Sequence, residues 1–282
     1  MEIINSAEAL QVRSNKIRNL QQTIAFVPTM GFLHEGHLTL LREGKKRADD
    51  LVLSIFVNPT QFGPNEDLDK YPRSLERDLA LAEKEGVNAV FTPQKDALYG
   101  DNYQTYVKLE SLPNHLCGLS RPVHFRGVAT IVTKLFNIVK PHVALFGEKD
   151  FQQLAVIRQM VRDLNFDIDI VGVPTVREPD GLAMSSRNTY LSETERNSGL
   201  SLSKALDMAQ VRVQKGETDA SKILDDMTTF IHHHPGTRID YAAICDPHTL
   251  EDVTHIDKPV LFALAVMVGN TRLIDNKVLN PL

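Results

Sequence analysis

Ile24-Ala25-Phe26-Val27, leading at once into Pro28-Thr29-Met30-Gly31-Phe32-Leu33-His34-Glu35-Gly36-His37, is the stretch that decides the fold. The four apolar residues read as a buried strand, and the ten after them read as a turn opening into a helix. Four more short apolar runs have the same character, at 51–57, 87–91, 142–146 and 168–173. Helix signals lie between them. Ser74 is placed to cap a helix that runs to Glu85 and stops at Gly86. Apolar residues at 128, 131, 132, 135, 136 and 139 have helical spacing, and 151–164 has a similar pattern. Strand, helix and strand in alternation predict an α/β fold with a parallel sheet and helices on its faces.

The pattern changes after about residue 176. Ser192 with Glu195 reads as a capping box ahead of a helix ending near Gly216, and a second helix spans roughly 220–232. Strands are expected near 239–245, 260–268 and 271–276. This predicts a smaller C-terminal α+β domain. The division expected is 1–176 and 177–282, with 176–187 as hinge or interface.

Composition narrows the class. The chain has 282 residues, 42% hydrophobic and 24% charged, which fits a globular protein with an ample core. Its formal net charge of -5 argues against a nucleic-acid partner, because phosphate backbones need clustered Lys and Arg. No apolar run approaches the ~18 residues of a membrane span, and no secretory pattern opens the chain. The two cysteines, Cys117 and Cys245, form no Cys-x-x-Cys pair and read as reduced thiols in a cytoplasmic protein.

The chemistry begins where the first strand ends. In open α/β sheets, ligands bind at the carboxyl ends of strands. A helix start there offers unpaired N–H groups and a positive dipole end, which suit phosphate. His34 and His37, three apart, point from one face of the first helical turn, and Gly36 between them lets a bulky group approach. This arrangement resembles the HIGH motif of the nucleotidylyltransferase superfamily, whose histidines and helix start hold ATP phosphates. Met184-Ser185-Ser186-Arg187 resembles a variant of that superfamily's KMSKS element, with two hydroxyls and a cation for departing pyrophosphate.

Three other stretches add detail. In Asn58-Pro59-Thr60-Gln61-Phe62-Gly63, Gln61 suits a polar substrate and Phe62 an apolar wall. In Gly147-Glu148-Lys149-Asp150-Phe151-Gln152-Gln153, Lys149 suits phosphate, and Gln153 lies one turn into a helix. Asp150 has two readings, a ribose or Mg²⁺ partner and a plain helix N-cap. Arg121-Pro122-Val123-His124-Phe125-Arg126-Gly127-Val128 reads as a basic and aromatic loop entering a helix.

Taken in order, these motifs resemble the pantoate–β-alanine ligase family over essentially the whole chain, most densely at 24–191. The resemblance implies a Rossmann-like N-terminal domain, a smaller C-terminal lid and a homodimer. It implies ligation of pantoate to β-alanine with ATP and Mg²⁺, through pantoyl adenylate, releasing AMP and pyrophosphate. Carried over residue by residue, ATP binding falls to Met30, Gly31, Phe32, Leu33, His34, Glu35, Gly36 and His37. It falls also to Gly147, Glu148, Lys149, Asp150, Val176, Met184, Ser185, Ser186 and Arg187. Gln61 and Gln153 would hold pantoate, Gln61 would also meet β-alanine, and no residue is assigned as a resident metal ligand. His37 is the family's proton donor; physically, His34, His37 and Lys149 read as stabilisers of phosphate charge.

Rival readings are another nucleotidylyltransferase, an aminoacyl-tRNA synthetase and a non-catalytic nucleotide sensor. His232-His233-His234 reads as a solvated helix end, since consecutive residues diverge around a helix. Arg73, Arg77 and Lys84 read as a solvated helix face, with reach into the site as a second reading for Arg73. Tyr71 and 65–67 lie in a long loop, either a lid or plain surface.

Overall fold

The computed structural model describes residues 1–64, 66 and 68–281. Its helices are α1 (Ala7–Asn19), α2 (Glu35–Lys45), α3 (Leu75–Lys84), the single turns α4 (Lys95–Leu98) and α5 (Cys117–Ser120), α6 (His124–Val139), α7 (Phe151–Asp163), α8 (Glu193–Gln214) and α9 (Ala220–His232). The chain divides into two compact units. The first is Met1–Leu109, Arg121–Glu148 and Gln153–Pro174; the second is Glu110–Ser120, Lys149–Gln152 and Thr175–Leu282.

The first unit holds six strands, β1 (Glu2–Ile4), β2 (Ile24–Thr29), β3 (Asp50–Ile55), β4 (Ala89–Phe91), β5 (Val143–Gly147) and β6 (Asp169–Val173). All pair in parallel, in the order β1-β4-β3-β2-β5-β6. Both parities of β2 are fully buried, as a sheet covered on both faces demands. Ala25 and Val27 join a core with Leu41 of α2, while Phe26 meets Phe136 of α6 edge to face at 6.4 Å. The strand order reverses at β2, the topological switch point where such sheets bind ligands. β2 and β5 pair only at Ala25↔Val143 and Phe26↔Ala144, then separate, whereas β2 stays with β3 to Thr29↔Ile55. Pro28, with no N–H to donate, sits just past the point where β5 leaves.

The second unit holds an antiparallel sheet of β7 (Thr237–Cys245), β8 (Val260–Val268) and β9 (Thr271–Leu279). Its core gathers Leu202 and Leu206 of α8, Ile223 and Met227 of α9, and Phe262 and Leu264 of β8. The expected capping box is present: Ser192 Oγ accepts from Glu195 N–H, and Glu195 Oε2 accepts from Ser192 N–H.

The structure corrects several expectations. β1 and α1 have no counterpart in the sequence reading, because β1 is a short edge strand and α1 buries only Leu10 and Ser14. α6 begins at His124, not Val128; His124 and Phe125 are buried, so the polar-looking entry belongs to the helix. Ser74 stands at the N-cap of α3 but its side chain makes no cap bond. β9 runs three residues further than expected, to Leu279.

Candidate active site

The candidate residues fall in both units, and each set is built by local chemistry. In the first unit, the turn after β2 is left-handed at two successive residues, Gly31 (φ 86°) and Phe32 (φ 51°). Gly31 is required there twice over: a Cβ would also lie 3.0 Å from Asp78 Oδ2 and 3.0 Å from Ile55 Cγ2. Phe32 has a Cβ, and a left-handed residue of that kind costs about 1–2 kcal/mol. Asp78 of α3 offsets the strain. Its Oδ2 accepts the Phe32 N–H at 2.7 Å and its Oδ1 the Leu33 N–H at 2.8 Å, in a side chain only 1% exposed. Burial raises the Asp78 carboxyl, opposed by those two N–H groups and by Arg77. Arg77 Nη1 donates to Leu33 O at 2.8 Å, with its guanidinium 5.3 Å from the Phe32 ring centroid. Arg77 is exposed, as a solvated face implies, and it also supports the loop.

His34 follows as the extended N-cap of α2, and His37 is the third residue of the helix. Their rings lie 4.0 Å apart at 33°, so the two do share a face. The His34 N–H donates to His37 Nδ1 at 3.3 Å. An accepting Nδ1 carries no proton, so the neutral His37 ring presents Nε2–H as a donor. The amides of Glu35 and Gly36 have no intrahelical acceptor, by helix geometry.

Gln61 closes a 3₁₀ turn, Pro59–Gln61, after β3 and is 7% exposed. Its Oε1 accepts from Asn58 Nδ2 at 3.1 Å, while its Nε2 lies 3.2 Å from the Met30 thioether, a weak acceptor. Asn58 is the buried hub: Nδ2 also donates to Gly127 O, and Oδ1 accepts from Thr60 Oγ1 and Tyr99 OH. Burial pushes Tyr99 up to about 12, which keeps it a donor. A Cβ on Gly127 would stand 2.4 Å from Thr60 O and 2.6 Å from Gln61 N, so only glycine lets α6 approach this turn. His124 Nδ1 and Arg121 Nη2 both donate to Gln61 O, and Arg121 also pairs with Glu66. Phe62 meets the buried Tyr71 edge to face, so Tyr71 is no plain surface residue. Asn65 and Asp67, in the loop read as lid or surface, lie outside the described residues.

In the second unit, Lys149 Nζ donates to Met184 O at 2.9 Å. Burial lowers the Lys149 ammonium, opposed by Asp150 and Asp275 and reinforced by Arg187 and Arg177. Val176 and Met184 face each other in a tight hairpin: Met184 N–H donates to Val176 O at 2.9 Å and Glu178 N–H to Leu182 O at 2.8 Å. Glu178 braces it, with Oε1 accepting from Asn188 Nδ2 and Oε2 from Arg196 Nη2, both at 2.6 Å. Arg177 makes a two-point pair with the buried Asp275. Ser185 caps the 3₁₀ segment Ser186–Tyr190 by accepting the Arg187 N–H.

The remaining candidates have plainer surroundings. Gln153 is half-buried, and it is Gln152 that ties its neighbourhood down, bonding Leu112 O, His115 O and the Cys117 N–H. Asp150 is exposed at the end of the 3₁₀ segment Glu148–Asp150. His233 and His234 each meet a carbonyl of the last turn of α9, as a helix end would have it. Sequence reasoning missed Asp78, Arg77 and Gly127 as supports, because each acts on backbone distant along the chain, and Glu178, because its partners are side chains of later elements. Among the described residues, no group of three His, Cys, Asp or Glu is placed to hold a metal, and no helix is long and apolar enough to cross a membrane.

Comparison with known proteins gives a consistent result. The sequence profile of the family "Pantoate-beta-alanine ligase" matches residues 2–278. A pantothenate synthetase from Desulfatibacillum aliphaticivorans is 63% identical over 281 residues, covering 100% of both chains. One from Geobacter sulfurreducens is 55% identical, covering 99% of both. Among solved structures, pantothenate synthetase from Thermus thermophilus superposes with a TM-score of 0.94 at 41% identity, covering 100% of both chains. Pantoate-beta-alanine ligase from Francisella tularensis, complexed with beta-gamma ATP and beta-alanine, gives 0.80 at 32%, covering 99% of this chain and 97% of its own.

Proposed function

The chain belongs to the pantoate–β-alanine ligase family, and from that premise we propose how its residues share the work of the reaction. That reaction is the ATP-dependent joining of (R)-pantoate to β-alanine through pantoyl adenylate, with release of AMP and pyrophosphate. ATP is held by residues 30–37, Gly147 and Glu148 of the first unit, and by Lys149, Asp150, Val176 and Met184-Ser185-Ser186-Arg187 of the second. Pantoate is held by Gln61 and Gln153, and β-alanine by Gln61.

Several features support this. A pantoate carboxylate oxygen attacks the α-phosphorus as the bond to the pyrophosphate oxygen breaks. A carboxylate needs no base for that attack, so His37 has no proton to take. Its Nε2–H is a neutral donor suited to phosphate oxygen, beside the helix-start amides of Glu35 and Gly36. Among the described residues Gln61 Nε2 meets a thioether, a weak acceptor, so a substrate hydroxyl or carboxylate replaces that partner at little cost. Lys149, its charge disfavoured by burial, gains from an anionic neighbour. In the second step the β-alanine amine attacks the acyl carbon and the bond to AMP breaks.

Mg²⁺ enters on ATP in this reading. Such an ion is held mainly by substrate phosphates and water with one or two carboxylates, and the exposed Asp150 is the carboxylate it would meet. Bound there, it neutralises phosphate charge. Chelation should abolish turnover and added Mg²⁺ restore it. The proposal also includes a homodimer, a cytoplasmic location, and a division into a substrate-binding part at 1–176 and a lid at 177–282.

The observation that carries the residue assignment is the strained, braced turn at Gly31 and Phe32 that presents His34 and His37. Its test is omission: pyrophosphate should form with ATP and pantoate alone, and AMP only when β-alanine is added. AMP release that does not require pantoate would refute it.

A further inference from the structure

We infer that Asp78 is a positioning residue for adenylate formation, holding the Gly31–Phe32 turn so that His34 and His37 meet the triphosphate in register. The inference rests on the phosphate role proposed above for those histidines.

The geometry leaves Asp78 little else to do. Both carboxylate oxygens are taken, one by the Phe32 N–H and the other by the Leu33 N–H, at 2.7 and 2.8 Å. The side chain is 1% exposed, so it reaches the site only through this backbone. One of the two residues it holds, Phe32, is the strained one, and strain persists only where surroundings enforce it. Two residues later the chain reaches His34, whose own N–H sets the His37 tautomer through Nδ1. Asp78, the turn, the His34 amide and the His37 ring thus form one connected series. Arg77, the preceding residue of α3, adds to the clamp by binding Leu33 O and lying over the Phe32 ring, with Nη1 3.5 Å from Asp78 Oδ1.

Asp78→Asn keeps the shape and one acceptor but points an NH₂ at an N–H that needs an oxygen. The turn is then free to relax toward ordinary φ, moving His34 and His37. A displacement of about 1 Å is enough to cost on the order of 10²-fold in rate. Only the step that expels pyrophosphate uses those histidines. Losing a brace that merely stabilised the fold would slow both steps alike.

The experiment compares Asp78→Asn, Arg77→Ala and His37→Ala in the full-length enzyme. Single turnovers follow pyrophosphate from ATP plus pantoate, and then AMP from β-alanine added to preformed pantoyl adenylate. The ¹⁵N spectrum of histidine-labelled protein reads the His37 tautomer. Asp78→Asn should slow the first step on the order of 10²-fold, leave the second within about twofold, and change the His37 ring nitrogen shifts. Arg77→Ala should do the same more weakly. A normal first step in Asp78→Asn beside a slowed His37→Ala would overturn the positioning role alone. A normal first step in His37→Ala would overturn the reading beneath it, and the proposal with it. Equal slowing of both steps in Asp78→Asn, with unchanged nitrogen shifts, would mark Asp78 as structural and also overturn the proposal.

Discussion

The loop after β2 and the hairpin that leads into Met184-Ser185-Ser186-Arg187, both assigned to ATP in the proposal above, are held in different ways. The first is a backbone device. Its donors are a histidine ring and helix-start amides, and its shape is imposed by two left-handed residues and one buried carboxylate. The second is a side-chain device. Its backbone is an ordinary hairpin, and ion pairs and amide bonds from Arg177, Glu178, Asn188, Arg196 and Lys149 secure it. A backbone device depends on a few irreplaceable contacts, whereas a side-chain device spreads its support. Single substitutions should therefore hurt the first more sharply than the second.

The largest test takes one side chain from each region that the proposal places on phosphate. His37→Ala and Lys149→Ala should each slow pyrophosphate formation on the order of 10²–10³-fold while sparing the second step. Rapid-quench single turnovers measure it. A Lys149→Ala that slowed only AMP release would break the comparison, since the two regions would then serve different steps.

Gly127→Ala asks whether backbone placement also governs Gln61. The added methyl would lie against Thr60 O and Gln61 N, so this turn must move. Pantoate KM should rise roughly tenfold or more, with ATP affinity held within about twofold. Steady-state kinetics and ATP titration decide it, and an unchanged pantoate KM would show that the turn absorbs the methyl.

Glu178→Gln probes the distributed brace. It keeps an acceptor but loses the charge that meets Arg196, a part-exposed pair of the kind typically measured at about 0.2–1 kcal/mol. Because Asp180 also binds Arg196, the first step should slow less than tenfold, well short of Asp78→Asn. A drop as large as that of Asp78→Asn would abolish the distinction between the two devices.

The smallest effect lies outside both regions. Asp246 is lowered to about 2 by Lys258 and by the His248 and Thr249 N–H groups. A depressed carboxyl contributes stability that is present above its unfolded value near 4 and lost as pH falls towards 2. Asp246→Asn should lower Tm slightly at pH 7, flatten the acid limb of the Tm–pH curve, and leave both half-reactions unchanged. An acid limb as steep as that of the parent would show that Asp246 plays no part in it.

The parallel sheet, the smaller C-terminal α+β part and the shared face of His34 and His37 were legible along the chain, because each is written locally. Buried strands are apolar runs, Ser192 and Glu195 sit three apart, and His34 and His37 share a helix face by spacing alone. β1 and α1 escaped because they bury too little to show a pattern. What only the tertiary structure decided is how those motifs are held. Asp78 lies 46 residues from Phe32 and Gly127 69 from Asn58. Nothing local marks a helical aspartate as the acceptor for a strained turn, or a helical glycine as the gap that lets Gln61 sit where it does. Spacing along a sequence specifies which side chains share a face; contact across elements depends on how the sheet and helices pack, and packing is a property of the whole fold.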